Sequence, residues 1–132
     1  MMNLSQQLFL TSGSIFAFLA VTAGAFGAHF LKQRLSIESL AVYETAVRYQ
    51  MYHALALILV AYGMHTFSSP WLLASGWFFI AGTLLFSGSL YLLVFSNTKA
   101  WGMLTPVGGL FFLLGWLAFC VASRAIVPTM KL

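Results

Sequence analysis

The chain has 132 residues, 61% of them apolar and 17% aromatic, and only 6% carry formal charge. A soluble domain devotes roughly a quarter of its residues to charge and a disordered one lacks the apolar excess; the single Cys120 excludes a disulfide framework and a cysteine-based zinc site. A membrane protein remains, and its net charge of +4, scattered over loops and tail, suits anionic lipid headgroups rather than nucleic acid.

Residues 8–31 carry no formal charge and end at Lys32 and Arg34, which predicts a first span. Ala23-Gly24-Ala25 resembles a signal-peptidase site. The preceding residues 1–7, however, lack Lys and Arg, and the apolar run exceeds an h-region, so a retained span is expected. Between Lys32 and Gln50 lie both glutamates and half of the basic residues. Ile37, Leu40 and Val47 share one helical face there, predicting an amphipathic interfacial helix over about 36–48, either separate or running on into the next span.

From Tyr49 to Thr98 there is no Lys, Arg, Asp or Glu, and one helix of that length would be more than twice as long as a hydrocarbon core of ~30 Å. The chain must therefore turn, and the break is His65-Thr66-Phe67-Ser68-Ser69-Pro70, where Ser69 is placed to cap and Pro70 to begin a helix. This gives a second span over 49–67 and a third over 71–95. The turn Ser96-Asn97-Thr98-Lys99 precedes a fourth over 101–123, which Thr105 caps ahead of Pro106 and Arg124 closes. The expected fold is all-α: one domain, a membrane-embedded antiparallel four-helix bundle with the interfacial helix between spans one and two.

Lipid gives little hydrophobic drive for helix association, so small residues must let backbones approach. Gly13, Ala17, Ala20, Gly24 and Gly27 form such a stripe in span one. Span three repeats Ala74, Ala81 and Gly88 every seven residues, with Ser75, Gly82 and Ser89 one step round the helix. Span four carries Gly108, Gly115 and Ala122, with Ala118 between. Span two, rich in Leu, Ile and Val, shows no such stripe and is expected to face lipid or another subunit.

Alternating span direction collects nearly all the chemistry on one side: His29, Glu44, Arg48, Tyr49, Gln50, Tyr52, His53, Ser87, Ser89, Tyr91, Asn97 and Thr105. Polar groups inside a membrane are costly, which makes this cluster a candidate site; its core is His29, Glu44, Arg48, Tyr49, Tyr52, His53, Ser87, Tyr91 and Thr105. His29 and His53, on helices joined by one loop, either fix helix ends by hydrogen bonds, line a lipid or small-molecule site, or ligate a haem iron. No metal-ligand spacing accompanies them, so no metal or other cofactor is expected. Trp77 and Trp116 read as packing or lipid-facing aromatics. There is no paired intramembrane carboxylate, G-x-S-x-G, H-E-x-x-H, P-loop or CxxC, so no catalytic residue is assigned and an enzyme is not expected.

The segments Gly24-Ala25-Phe26-Gly27-Ala28-His29, Tyr49-Gln50-Met51-Tyr52-His53-Ala54, Phe86-Ser87-Gly88-Ser89-Leu90-Tyr91 and Thr105-Pro106-Val107-Gly108-Gly109 with Gly115-Trp116 occur in this order. Together they resemble the bacterial inner-membrane family known as domain of unknown function 423, related to the eukaryotic transmembrane protein 256 family. The resemblance covers almost the whole chain and implies a small multispan inner-membrane protein, with no activity attached.

Lys32, Arg34, Arg48 and Lys99 lie on the His29/His53 side against Arg124 and Lys131 on the other, which predicts that side in the cytoplasm and both termini outside. The reading that follows is a non-enzymatic membrane protein whose partners are membrane lipids, a second copy of itself or another membrane protein. A small transporter or channel for a neutral or anionic solute, and a b-type haem protein, stand as alternatives.

Overall fold

The computed structural model describes residues 1–124. Four helices follow one another: α1 (Leu4–His29), α2 (Ile37–Thr66), α3 (Pro70–Ser96) and α4 (Thr105–Ser123), with short 3-10 turns at Leu31–Gln33 and Lys99–Met103. Their ends follow local chemistry. Asn3 and Gln6 form a reciprocal capping box on α1. The Ser36 hydroxyl accepts the Ser39 amide to start α2. Pro70 stands in the first turn of α3, whose end is turned by Asn97 in the left-handed region at φ 52°. Two expected caps are absent. The Ser69 side chain makes no capping bond, and Thr105 is already helical, its hydroxyl committed to Ser89.

Each neighbouring pair is antiparallel, as the order of its contacts shows. Along α1 and α2, Gln6 meets Ala61, Gly13 meets Ala54, the Phe16 carbonyl meets Gln50, and Gly27 meets Tyr43. Along α2 and α3, Gly63 meets Leu72, His53 meets Phe79, and the Ala46 carbonyl meets Ser87. Along α3 and α4, Ser75 meets Gly115, Gly82 meets Phe112, Phe86 meets Gly108, and Ser89 meets Thr105. The helices thus pair in sequence, α1 on α2, α2 on α3 and α3 on α4, so α1 and α4 flank a central α2–α3 pair.

Two expectations change here. The segment 36–48 is no separate interfacial helix but the cap and first twelve residues of α2, and its Tyr43 and Ala46 are buried in the bundle. Once the helix continues, Tyr43 reaches the Ala23 carbonyl of α1 at 2.7 Å, a contact an interface-bound helix would forgo. Nor does α2 present its surface chiefly to lipid: Ala46, Ala54, Ala56, Leu57, Val60 and Ala61 are all buried. Ala54 and Ala46 stand where the facing residues, Gly13 and Ser87, are small enough for close approach. Three helical segments, 4–33, 70–96 and 99–123, are long and apolar enough to cross a membrane. By the same measure α2 is too polar, because it carries groups such as Gln50 and His53 that packing between α1 and α3 hides from lipid.

The small-residue stripes of α1, α3 and α4 meet their neighbours. An added β-carbon at Gly13 would stand 2.8 Å from the Ala54 carbonyl oxygen, at Gly27 2.7 Å from the Tyr43 ring, at Gly82 2.5 Å from Phe112 and at Gly115 2.6 Å from Phe79. At Gly108 it would strike the backbone of Phe86. Gly24 makes only ordinary contact, at 3.5 Å from Val47, and Gly88 faces open space. Gly88 is therefore not a packing residue. The row that packs against α4 is Ser75, Gly82 and Ser89, one step round α3 from Ala74, Ala81 and Gly88.

Because Phe86's backbone cannot withdraw from Gly108 without moving a helix, Gly108→Ala is expected to lower stability by about 1–3 kcal/mol. Gly88→Ala should leave it unchanged. Thermal unfolding of the two variants in detergent, compared with the parent, checks the contrast.

Candidate functional site

The buried polar groups divide into two sets on opposite sides of the α2–α3 pair. On the α1 side, Gln50 is the hub: its Nε2 donates to the Phe16 carbonyl at 2.9 Å and its Oε1 accepts from the Tyr91 hydroxyl at 2.9 Å. Tyr91 packs edge-on to Tyr43, whose own hydroxyl donates to Ala23. Between α2 and α3, Ser87 donates to the Ala46 carbonyl at 2.7 Å. Apart from the Tyr91–Gln50 bond, these answer polar side chains with backbone carbonyls, which accept a second bond without leaving the helical ladder.

On the α4 side, His53 is the centre. Its Nδ1 lies 2.6 Å from the Tyr49 carbonyl, one turn back. A carbonyl only accepts, so Nδ1 carries the proton. The Trp116 indole, which only donates, gives its N–H to Nε2 at 3.1 Å. His53 is thereby a neutral imidazole in a defined tautomer with both nitrogens engaged. Its ring lies parallel to Phe112, 6° apart with centroids 3.4 Å apart, and Tyr49 stands nearly parallel to both, at 24° and 29°. Gly82 and Gly115 make this possible, because their missing side chains admit the Phe112 and Phe79 rings against the neighbouring helix.

Beside these rings an open groove of about 760 Å³ runs between α2 and α4. Tyr49, Tyr52 and Pro106 line one part of it; His53, Phe112 and Trp116 line another. Along α4 the wall from Pro106 to Trp116 measures about 15 Å at 1.5 Å per residue. Tyr49 and Trp116 are 40% and 42% exposed, so the groove opens sideways onto the outer surface of the molecule.

The predicted cluster is thus partly gathered and partly dispersed. Tyr49, Tyr52 and His53 meet at the groove, Tyr91 joins Gln50 on the other side, and Ser87 lies between. Thr105 pairs with Ser89 at 2.7 Å. Glu44 and Arg48 are exposed and border a small recess of about 250 Å³ beside Gly24 and Gly27. His29 is exposed at the end of α1. It follows Gly27, whose partner Tyr43 precedes His53 by ten residues, about 15 Å of helix, and α1 packs on a different face of α2 from α4. The two histidines therefore do not converge, and they do not provide the opposed pair that one iron would need. Among the described residues no group of three His, Cys, Asp or Glu converges either. Lys131 lies outside the described residues.

Sequence reading missed Trp116 as the partner of His53 and Gln50 as a hub. The indole hydrogen bond spans 63 residues and no local spacing signals it. Gln50 carried a signal, since an amide in a charge-free run demands partners.

Comparison with known proteins gives a family and relatives named as membrane proteins. The family described as "Protein of unknown function (DUF423)" matches residues 23–109, a stretch that holds Gly27, Tyr43, Gln50, His53, Tyr91 and Gly108. The chain belongs to the DUF423 family. Among its relatives, the UPF0382 membrane protein YwdK of Bacillus subtilis is 42% identical over 89% of this chain and 96% of its own. The UPF0382 inner membrane protein YgdD of Escherichia coli is 38% identical over 91% of this chain and 92% of its own. A UPF0382 membrane protein of Staphylococcus aureus is 42% identical over 89% and 95%. No solved structure matches.

One buried polar atom among the described residues has no hydrogen-bond partner, the Thr83 hydroxyl on α3, one turn from both Phe79 and Ser87. Since it gains nothing in place, Thr83→Val is expected to stabilise the protein by up to about 1 kcal/mol. Gln50→Leu should destabilise it by about 1–3 kcal/mol by stranding the Tyr91 hydroxyl. A double-mutant cycle with Tyr91→Phe, read by unfolding in detergent, should return a coupling of about 0.5–1.5 kcal/mol.

Proposed function

We propose that this protein is a multi-pass inner-membrane protein, all four helices crossing, that binds one membrane-soluble lipid in the lateral groove between α2 and α4 and performs no chemistry on it. The groove itself carries the reading. Its walls are aromatic and aliphatic, it is open on the side where Leu110, Leu113 and Trp116 are exposed, and its length matches the run of a hydrocarbon chain. In a bilayer the molecules that meet such an opening are lipids, and an aromatic surface rich in ring faces holds them without ordering many rotors. The Escherichia coli relative, named an inner membrane protein, supports the inner membrane as this protein's location. The absence of a paired carboxylate or nucleophile motif in the sequence supports a binding role over a catalytic one. The basic residues Lys32, Arg34, Arg48 and Lys99 favour placing their side in the cytoplasm.

Gly109 offers a clean test, because it lines the groove and an added β-carbon there meets only the Phe86 ring, at 3.8 Å. Gly109→Leu is expected to fill the groove while leaving helix content and thermal midpoint unchanged. Native mass spectrometry of gently extracted protein should show a retained lipid on the parent and at least about tenfold less on the variant, which corresponds to about 1.4 kcal/mol. Equal retention by both would remove the groove as the binding site.

A further inference from the structure

We propose that the groove selects a lipid bearing a ring hydroxyl, a long-tailed phenol or quinol, by presenting the His53 Nε2 lone pair as its hydrogen-bond acceptor, with Trp116 as the group that surrenders it. This rests on the lipid-binding reading above and names the class of lipid.

Three observations converge on it. First, the protonation of His53 is settled by its partners: Nδ1–H is spent on the Tyr49 carbonyl, so what His53 offers the groove at Nε2 is an acceptor. The imidazole is 4% exposed, on a helix packed between two others, and its ring lies on Phe112, about 9 Å along the groove wall from Pro106. The phosphate headgroup of an ordinary phospholipid, which stays at the water interface, does not reach such a depth. A hydroxyl on a small ring does. Second, the present donor to Nε2 is Trp116, which lines the groove and is 42% exposed, so its indole can swing outward while the buried imidazole stays. An indole N–H moved to the lipid boundary loses one hydrogen bond, and a ligand donor replaces it at Nε2, which leaves the buried acceptor satisfied throughout. Third, the exposed ring beside that acceptor is Tyr49, which stands within 29° of the buried, mutually stacked His53 and Phe112. A flat ring stacks on such a surface, whereas an acyl chain gains no directional contact from it.

Matched probes isolate the hydrogen bond: para-dodecylphenol and its methyl ether, para-dodecylanisole, which share ring and tail and differ in one donor. Each is titrated into the full chain in phosphatidylcholine nanodiscs, with Gly109→Leu as the baseline for adducts outside the groove, and occupancy is read by native mass spectrometry. The phenol should bind roughly two- to tenfold more tightly than the ether, the size of one net hydrogen bond. Only the phenol should shift the Trp116 indole N–H resonance. His53→Phe, which keeps the stacked ring and removes the acceptor, should bring the preference to unity. Trp116→Phe, which removes the competing donor and leaves the His53 acceptor open to the ligand, should raise phenol affinity above the parent's. Equal affinity for phenol and ether in the parent overturns this inference while leaving a lipid groove in place. Groove-independent binding of both probes, with no lipid retained on the parent, overturns the two readings together.

Discussion

Everything in this molecule depends on how closely two helix backbones approach at a few positions with no side chain. At Gly108 the backbone of Phe86 occupies the space a β-carbon would need, and at Gly13 the Ala54 carbonyl stands at the limit of contact. Lipid gives helices no hydrophobic reason to associate, so the interactions available are van der Waals packing at short range and hydrogen bonds between helices. The first creates the conditions for the second. Because α3 and α4 lie close, the Ser75 hydroxyl reaches the Gly115 carbonyl and Ser89 reaches Thr105. Because α1 and α2 lie close, Gln50 reaches Phe16.

The same contacts decide where aromatic rings go. With Gly82 and Gly115 lacking side chains, Phe112 and Phe79 fill the space at the α3–α4 seam, and Phe112 then lies flat on His53. The groove is the counterpart of this packing. Where α3 draws α4 close, α2 and α4 touch only through their rings, and the space between them stays open toward the membrane. The groove is thus a consequence of which helix pairs have small residues and which do not.

Polar chemistry inside the bundle follows one economy of form: a side chain donates to a backbone carbonyl of a neighbouring helix or of its own preceding turn. Tyr43, Gln50, Ser75, Ser87 and His53 all do so. Each such bond needs only one polar side chain, so a helix can be locked in register without placing a second polar group in the membrane. Gln50 and His53 each make a second bond to a side chain, Tyr91 and Trp116, and of these two partners Trp116 is itself half in the open. That makes the His53–Trp116 bond the most readily exchanged of the set.

Composition and period alone determined that this is a helical membrane protein, where its turns fall, and that α1, α3 and α4 carry rows of small residues able to pack, but not which of the two rows on α3 does so. Those are properties of single segments: the length of an apolar run, the break at Pro70, the heptad recurrence of glycine in α4. Tertiary structure decided the rest. It made α2 central although its sequence shows no glycine stripe, because alanines at 46 and 54 serve where the opposing residue, Ser87 or Gly13, is itself small. It joined residues 36–48 to that helix through Tyr43 and Ala23. It also divided one predicted cluster in two, sending Tyr91 to Gln50 and His53 to Trp116 while His29 stayed at the surface. Shared depth in the membrane is legible from the order of spans, but the face on which a side chain emerges depends on the rotation of each helix. That rotation is set by contacts between segments dozens of residues apart.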